Sequence, residues 1–191
     1  PQKKGSFMKQ GIAEQLYERI SARFSRDKLL FLVIFALVFI RYCYYGVQYY
    51  YQLDDYIQYH NLTAGTQNPF AVISSLGLFG NRPMAWVADL LVWSHFYPVM
   101  IVGVAAISAM FAASACLFRW VFSRHFGTSY VFLAVYALLP LGFEGTYWMS
   151  ASTRIVAGLF FVALALYGFE RWCDSGKARM LLLYLLCQLL A

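Results

Sequence analysis

Charged residues are scarce in this chain, and their scarcity excludes an ordinary water-soluble domain. Only 13% of its 191 residues are charged and 61% are hydrophobic, whereas soluble domains are about 25% charged. Aromatic residues reach 19%, a level typical of the belts that lie at lipid headgroups. The composition therefore predicts a polytopic membrane protein, and its fold class is expected to be an all-α transmembrane helical bundle.

Several sequence features that would indicate other functions are also missing. Gly-rich phosphate loops, Ser-His-Asp arrangements, nucleic-acid motifs and internal repeats do not occur, so no nucleic-acid partner is expected. No cleavable signal peptide is recognisable, because the first apolar run begins late and is long. The cysteines show no CxxC spacing and are interpreted as small apolar fillers rather than as a disulfide or metal framework. They are Cys43, Cys116, Cys173 and Cys187.

The basic residues are concentrated near the N-terminus, and this distribution predicts the orientation of the chain. Seven of the 15 basic residues precede Leu29. Residues 1–28 are predicted to be a basic cytoplasmic segment. Within it, residues 7–26 are predicted to form an amphipathic helix that lies on the membrane surface, in contact with anionic lipid, or packs on the protein itself. By the positive-inside rule the N-terminus is cytoplasmic, and the protein is expected in the cell (inner) membrane as a multi-pass protein with its active loop outside.

Hydrophobic runs divide residues 29–191, the predicted transmembrane domain, into successive spans. Four runs are long enough to cross a bilayer, which requires about 20 helical residues. The last run is too short, so the chain is expected to be part of a longer protein. Residues 49–97 form a predicted outer loop whose Gly, Pro and Asn residues divide it into short juxtamembrane helices. The predicted spans cover residues 29–48, 98–118, 126–143, 152–169 and, in part, 180–191.

An acidic pair, Asp54-Asp55, opens the predicted outer loop and is the first candidate for chemistry. Charged groups beside a membrane are costly to place there and are commonly functional. Neighbouring residues on a helix point about 100° apart. One aspartate can therefore act as a general base while the other binds a metal, caps a helix or contacts the region of Arg82. The alternative is an interfacial helix whose acidic side chains face water.

Three arginines lie on the predicted outer side or within spans, where the positive-inside rule disfavours them. Arginine suits paired hydrogen bonds to phosphate, so Arg82 and Arg154 are predicted to bind an anionic group. For Arg154 the alternative is a structural ion pair with Glu144 or with one of the aspartates. Arg41 is interpreted as extending into the surrounding tyrosine belt.

Two histidines, His60 and His95, share the predicted outer loop with the acidic pair. A metal site with Asp54 or Asp55 is one interpretation, but the spacing matches no ligand motif, so the histidines are interpreted as surface residues. The metal is left unassigned, with a divalent cation as the candidate cofactor. Asn61-Leu62-Thr63 forms a glycosylation sequon that matters only in a secretory-pathway organism.

Three short motifs occur in a defined order along the chain. They are Leu53-Asp54-Asp55-Tyr56, Gly80-Asn81-Arg82-Pro83-Met84 and Tyr147-Trp148-Met149-Ser150-Ala151-Ser152-Thr153-Arg154. Together they resemble the N-terminal third of the GT-C-type integral membrane glycosyltransferases. The resemblance is greatest to the bacterial polyprenyl-phosphate-sugar-dependent branch, including the GtrII-like glucosyltransferases of O-antigen modification. It covers residues 29–172, and the chain departs from the family in having fewer spans.

The resemblance implies transfer of a sugar from a polyprenyl-phosphate donor to a glycan or lipid acceptor on the extracytoplasmic face. It implies Asp54 as the base, with Asp55 supporting it or binding a divalent cation. A lipid-linked-sugar flippase or transporter is the alternative, although the paired broken helices of transporter repeats are not visible. A structural membrane subunit is a third. The residues implied in substrate binding are Arg82, Arg154, Glu144, Tyr147 and Trp148.

Overall fold

The described part of the chain is built entirely from helices. The computed structural model describes residues 26–43, 50, 55–56, 87–88, 91–127, 130–138 and 149–191. Within these ranges no strand occurs, which confirms the predicted all-α class. Two short 3-10 turns, Trp93–His95 and Tyr97–Val99, lead into the second of five α-helices. The α-helices are α1 (Arg26–Tyr42), α2 (Met100–Phe126), α3 (Val131–Leu138), α4 (Met149–Ser175) and α5 (Ala178–Leu190).

Two of these helices have the length and composition needed to cross a membrane. α2 and α4 each contain 27 residues, about 40 Å of helix, against a hydrocarbon core of about 30 Å. The most apolar 18-residue stretch has a mean hydropathy of 2.2 in α2 and 1.8 in α4. Only 44% of each of these stretches is buried inside the protein, so the larger part of each stretch faces outward. These two helices suggest that the protein associates with a membrane.

Glycine ends α2 and separates α4 from α5. Gly127 follows α2 with a φ of 62°, and Gly176 lies between α4 and α5 with a φ of 64°. This left-handed conformation is readily adopted by glycine, and it is a common way in which a helix terminates. Arg124 lies in the last turn of α2, where a cation interacts favourably with the helix dipole.

Helices that follow one another along the chain run in opposite directions, which gives the bundle two distinct ends. At the first, called here the ion-pair end, Arg119 on α2 contacts Asp27 on α1 at 2.6 Å. The two terminal nitrogens of Arg124 each lie 2.6 Å from an oxygen of Asp174, at the end of α4. At the opposite end, called here the Asp55 end, α1 finishes and α4 begins. There the last residue of α1, Tyr42, reaches the first turn of α4.

The core lies between α1, α2 and α4, with α2 in the centre. Val38, Val104, Ile107 and Met149 are fully or almost fully buried there. Gly103 makes room for Met149, because a Cβ at this position would overlap the Met149 thioether. This close contact brings the start of α4 directly against α2, and so fixes the position of the polar residues that follow Met149.

The helix ends differ from the predicted spans where charges are paired. The second span was expected to finish at residue 118, but α2 continues through Arg119 and Arg124 to Phe126. Both arginines contact carboxylates on neighbouring helices, so their charges do not end the helix. α3 accordingly begins at Val131 rather than at residue 126. Most of residues 1–28 and 49–97, with the predicted amphipathic and juxtamembrane helices, lies outside the described residues.

Candidate functional site

Asp55 is fully buried at the start of α4. Its exposed fraction is 0%, and its Oδ1 accepts a hydrogen bond of 2.8 Å from the backbone N–H of Ser150. Ser150 is the second residue of α4, and N–H groups in the first turn of a helix have no acceptor within the helix. A carboxylate there also complements the positive end of the helix dipole. Asp55 therefore caps α4, and the alternative of a carboxylate facing water does not apply to it.

Hydroxyl groups surround this cap. The hydroxyls of Tyr42 and Ser152 share a hydrogen bond, and the Thr153 hydroxyl donates to the Ser150 carbonyl at 3.1 Å. Tyr42 is 5% exposed and Ser152 is 0% exposed. Because buried polar groups are stable where they are hydrogen-bonded, these contacts hold the end of α1 and the start of the predicted outer loop onto α4. Asp55, Tyr42, Ser150 and Ser152 are called here the Asp55 cluster.

The Ser150 hydroxyl is an exception within this cluster. It is buried, and it makes no hydrogen bond to any residue that the structure describes. A buried hydroxyl without a partner is destabilising, and in this position it lies beside the carboxylate of Asp55. The Ser150 hydroxyl is therefore a donor that makes no hydrogen bond to another described residue of the Asp55 cluster.

Arg154 lies one helical turn from Ser150 and lines a cavity of about 720 Å³. Four residues of α-helix correspond to a rise of about 6 Å. Thr153 is the other polar residue among the described lining residues, and the rest are apolar. The volume lies within the range of about 300–1,000 Å³ found for small-molecule sites. The described lining residues are Val87, Ala88, Leu91, Val92, Thr153, Arg154, Ile155, Ala157, Gly158, Phe161, Leu189, Leu190 and Ala191.

Two other candidates from the sequence have different surroundings. Arg41 is half-buried and donates a hydrogen bond of 2.9 Å to the carbonyl of Ala137, near the end of α3. It therefore joins α1 to α3, a contact that the tyrosine-belt interpretation did not include. His95 is exposed, and its Nδ1 lies 3.3 Å from the Ser94 hydroxyl.

The remaining candidates lie outside the described residues. The structure thus brings together Asp55 and Arg154 and gives no position for the others. Among the residues that it describes, no group of three or more His, Cys, Asp or Glu side chains is arranged to hold a metal ion. The candidates outside the described ranges are Asp54, His60, Arg82, Glu144, Tyr147 and Trp148.

The Asp55 cluster is partly recognisable from the sequence. The run from Ser150 to Thr153 places hydroxyl groups next to an arginine in an otherwise apolar span, which is unusual in a membrane helix. Tyr42 could not be identified in this way, because it is one of many tyrosines at and beyond the far end of the predicted first span. Gly158 and Phe161 also gave no signal, because apolar residues that line a cavity are the same types that face lipid.

The arrangement can bind an anionic group that carries an apolar tail. A guanidinium forms strong paired hydrogen bonds with phosphate or carboxylate oxygens, and the apolar lining offers no such partner to a polar ligand. Asp55 has no exposed surface from which to contact a substrate, so its geometry suits the positioning of neighbouring groups. Comparison with protein-family models, with curated proteins and with solved structures finds no match to this chain.

Proposed function

We propose that the chain is part of a membrane glycosyltransferase that moves a sugar from a polyprenyl-phosphate donor to a glycan or lipid acceptor on the extracytoplasmic face. One observation carries the proposal: Arg154 lines an apolar cavity of about 720 Å³, one helical turn from the buried Asp55 cluster. A polyprenyl phosphate has the matching chemistry, because its phosphate suits a guanidinium and its tail suits an apolar wall.

In this mechanism Asp54 is the general base and Asp55 is a positioning residue. The acceptor hydroxyl oxygen attacks the anomeric carbon of the sugar, and its proton passes to the Asp54 carboxylate. The bond from the anomeric carbon to the phosphate oxygen breaks, and the electron pair leaves with the polyprenyl phosphate. Arg154 and Arg82 stabilise the negative charge on this leaving group. Asp55, buried against α4, holds the start of the loop to which Asp54 belongs.

The family resemblance supplies the remaining roles. Glu144, Tyr147 and Trp148 immediately precede α4 in the sequence, and we assign them to contacts with the sugar or the acceptor. A divalent cation remains part of the proposal, and it would stabilise phosphate charge in the same way as the arginines.

We also propose a multi-pass topology in which the ion-pair end is cytoplasmic and the Asp55 end is outside. Arg171, Lys177 and Arg179 are exposed at or near the ion-pair end, and basic residues favour the cytoplasmic side of a membrane. The alternating helix directions support a chain that crosses the membrane repeatedly. In this orientation Arg154 and the buried Asp55 lie toward the extracytoplasmic side, where the proposed transfer takes place.

The test is sugar transfer by the full-length protein in proteoliposomes supplied with polyprenyl-phosphate sugars. Asp54→Asn should lower turnover by about 100- to 10,000-fold while expression persists. Arg154→Ala should raise the KM for the donor by about 10- to 100-fold, since a hydrogen bond to a charged group is lost. Arg124→Ala is the matched control, because it removes an arginine at the opposite end of the bundle.

Three outcomes would contradict this function. Near-normal turnover of Asp54→Asn removes the catalytic assignment, and equal effects of Arg154→Ala and Arg124→Ala on donor KM remove the phosphate assignment. Movement of the lipid-linked sugar across the bilayer without transfer identifies the flippase alternative instead.

A further inference from the structure

Gly158 lies on the same face of α4 as Arg154, one turn further along the helix. Both residues line the cavity, and residues four apart on a helix are neighbours on its surface. A Cβ added at Gly158 would lie 3.4 Å from the carbonyl oxygen of Ala191, which is an ordinary van der Waals contact. A single methyl group therefore fits, whereas a larger side chain has to occupy the cavity itself.

Helix packing does not fill the space next to Gly158. Gly168, on the same helix, has the backbone nitrogen of Tyr184 and the backbone oxygen of Met180 only 3.2 and 3.3 Å from its added Cβ. Close approach of α5 therefore requires a very small residue there. At Gly158 an alanine would fit and would favour the helix more. The space over Gly158 is thus available to something other than α5.

The α4 residues that line the cavity follow one another in an order that matches one kind of ligand. Arg154 is followed by the open position at Gly158 and then by the ring of Phe161, along about 10 Å of helix. A ligand whose phosphate lies on Arg154 can place its next carbons over Gly158, because the described lining beyond Arg154 on this helix is apolar.

We propose that Gly158 is a specificity-determining residue that admits the first isoprenoid unit of the lipid phosphate next to Arg154. The identity of the lipid rests on the proposed function. Substitution of Gly158 by alanine should leave this space open, whereas leucine should fill it. Because one methylene in a tight apolar pocket changes selection by roughly 10-fold or more, leucine should weaken binding at least tenfold.

The first experiment measures binding of farnesyl phosphate to the full-length protein in detergent, by calorimetry. Gly158→Ala should bind within about threefold of the unsubstituted protein, and Gly158→Leu should bind at least tenfold more weakly. Cys173→Leu is the control, because it adds the same side chain to an exposed position on the same helix. Equal affinity of Gly158→Leu and the unsubstituted protein would overturn the inference.

A second experiment does not depend on the folding of the leucine variant. Gly158→Cys is close in size to alanine, and its thiol can be modified with a small methanethiosulfonate reagent and located by peptide mass spectrometry. Farnesyl phosphate should slow this modification at least tenfold, whereas inorganic phosphate, which has no tail, should not. An unchanged rate with farnesyl phosphate contradicts the inference.

These results also separate the inference from the function on which it rests. Protection of Gly158→Cys in a protein that transfers no sugar supports a prenyl-phosphate site and removes the transferase assignment. Sugar transfer without protection removes the role of Gly158 and leaves the transferase assignment in place.

Discussion

Substitution of Asp55 by alanine should destabilise the Asp55 end of the bundle. The carboxylate is 0% exposed and accepts the Ser150 N–H at 2.8 Å, so alanine removes this acceptor from a buried donor. Loss of a helix cap costs about 0.5–2 kcal/mol, and a buried donor left without a partner costs about 1–3 kcal/mol. Both ranges describe the same lost bond and are not added. We expect a loss of about 2 kcal/mol, or about 30-fold in the folding equilibrium.

Asparagine at the same position provides the matched comparison. Asp55→Asn keeps a side-chain oxygen that can accept from Ser150 and removes the negative charge. The charge contributes through the helix dipole, typically about 0.3–1 kcal/mol. The asparagine variant should therefore be destabilised by about 1 kcal/mol or less, clearly less than the alanine variant.

The assay combines unfolding of the full-length protein in detergent with sugar transfer at a temperature where all variants are folded. If Asp55 is a positioning residue, the unsubstituted protein should be the most stable, Asp55→Asn less stable and Asp55→Ala the least stable. The loss of turnover should also be smaller for Asp55→Asn than for Asp54→Asn. Native stability in Asp55→Ala would refute the cap. Native stability in Asp55→Asn together with a loss of turnover as large as that of Asp54→Asn would refute the division of roles and make Asp55 the base.

Three further predictions test the packing and the orientation of the bundle. Tyr42→Phe and Ser152→Ala should each cost about 1 kcal/mol, and a double-mutant cycle should show a coupling of about 0.5–1.5 kcal/mol; additive effects would mean that the two hydroxyls do not interact. Gly168→Ala should cost about 1–3 kcal/mol in unfolding, because its Cβ meets the backbone of α5; a stabilised variant would contradict that close approach. Cys173 is exposed near the ion-pair end, so an impermeant thiol reagent should label it only from the cytoplasmic side, and labelling from outside in intact cells would reverse the proposed orientation.

The sequence predicts the helices of this protein better than their ends. Long apolar runs indicate membrane helices because few other structures need them, and the all-helical class is confirmed for the described residues. The end of α2 could not be predicted in the same way. Its arginines meet carboxylates that are 92 and 50 residues away in the sequence, and such pairing depends on how the helices are arranged.

The candidate site shows the same limit. Charged residues in apolar surroundings identified Asp55 and Arg154 as functional candidates, and the structure brings both to one end of α4. The role of Asp55 as a cap was one of several options, because its partner is 95 residues further along the chain. The cavity had no signal of its own, since most of its described lining consists of ordinary apolar residues of α4, the end of α5, residues 87–88 and residues 91–92.

The burial of Asp55 bears on how the proposed mechanism divides the acidic pair. A general base has to come within about 2.6–3.2 Å of the proton that it removes, and a carboxylate without exposed surface is poorly placed to meet an incoming hydroxyl. Its contact with Ser150 instead anchors the loop to α4, the helix that also carries Arg154. Group transfer gains most when nucleophile and leaving group are held in a fixed relation. In the proposed mechanism, one rigid helix would anchor the neighbour of the base and carry the cation for the leaving group, and for this reason we propose Asp54 rather than Asp55 as the base.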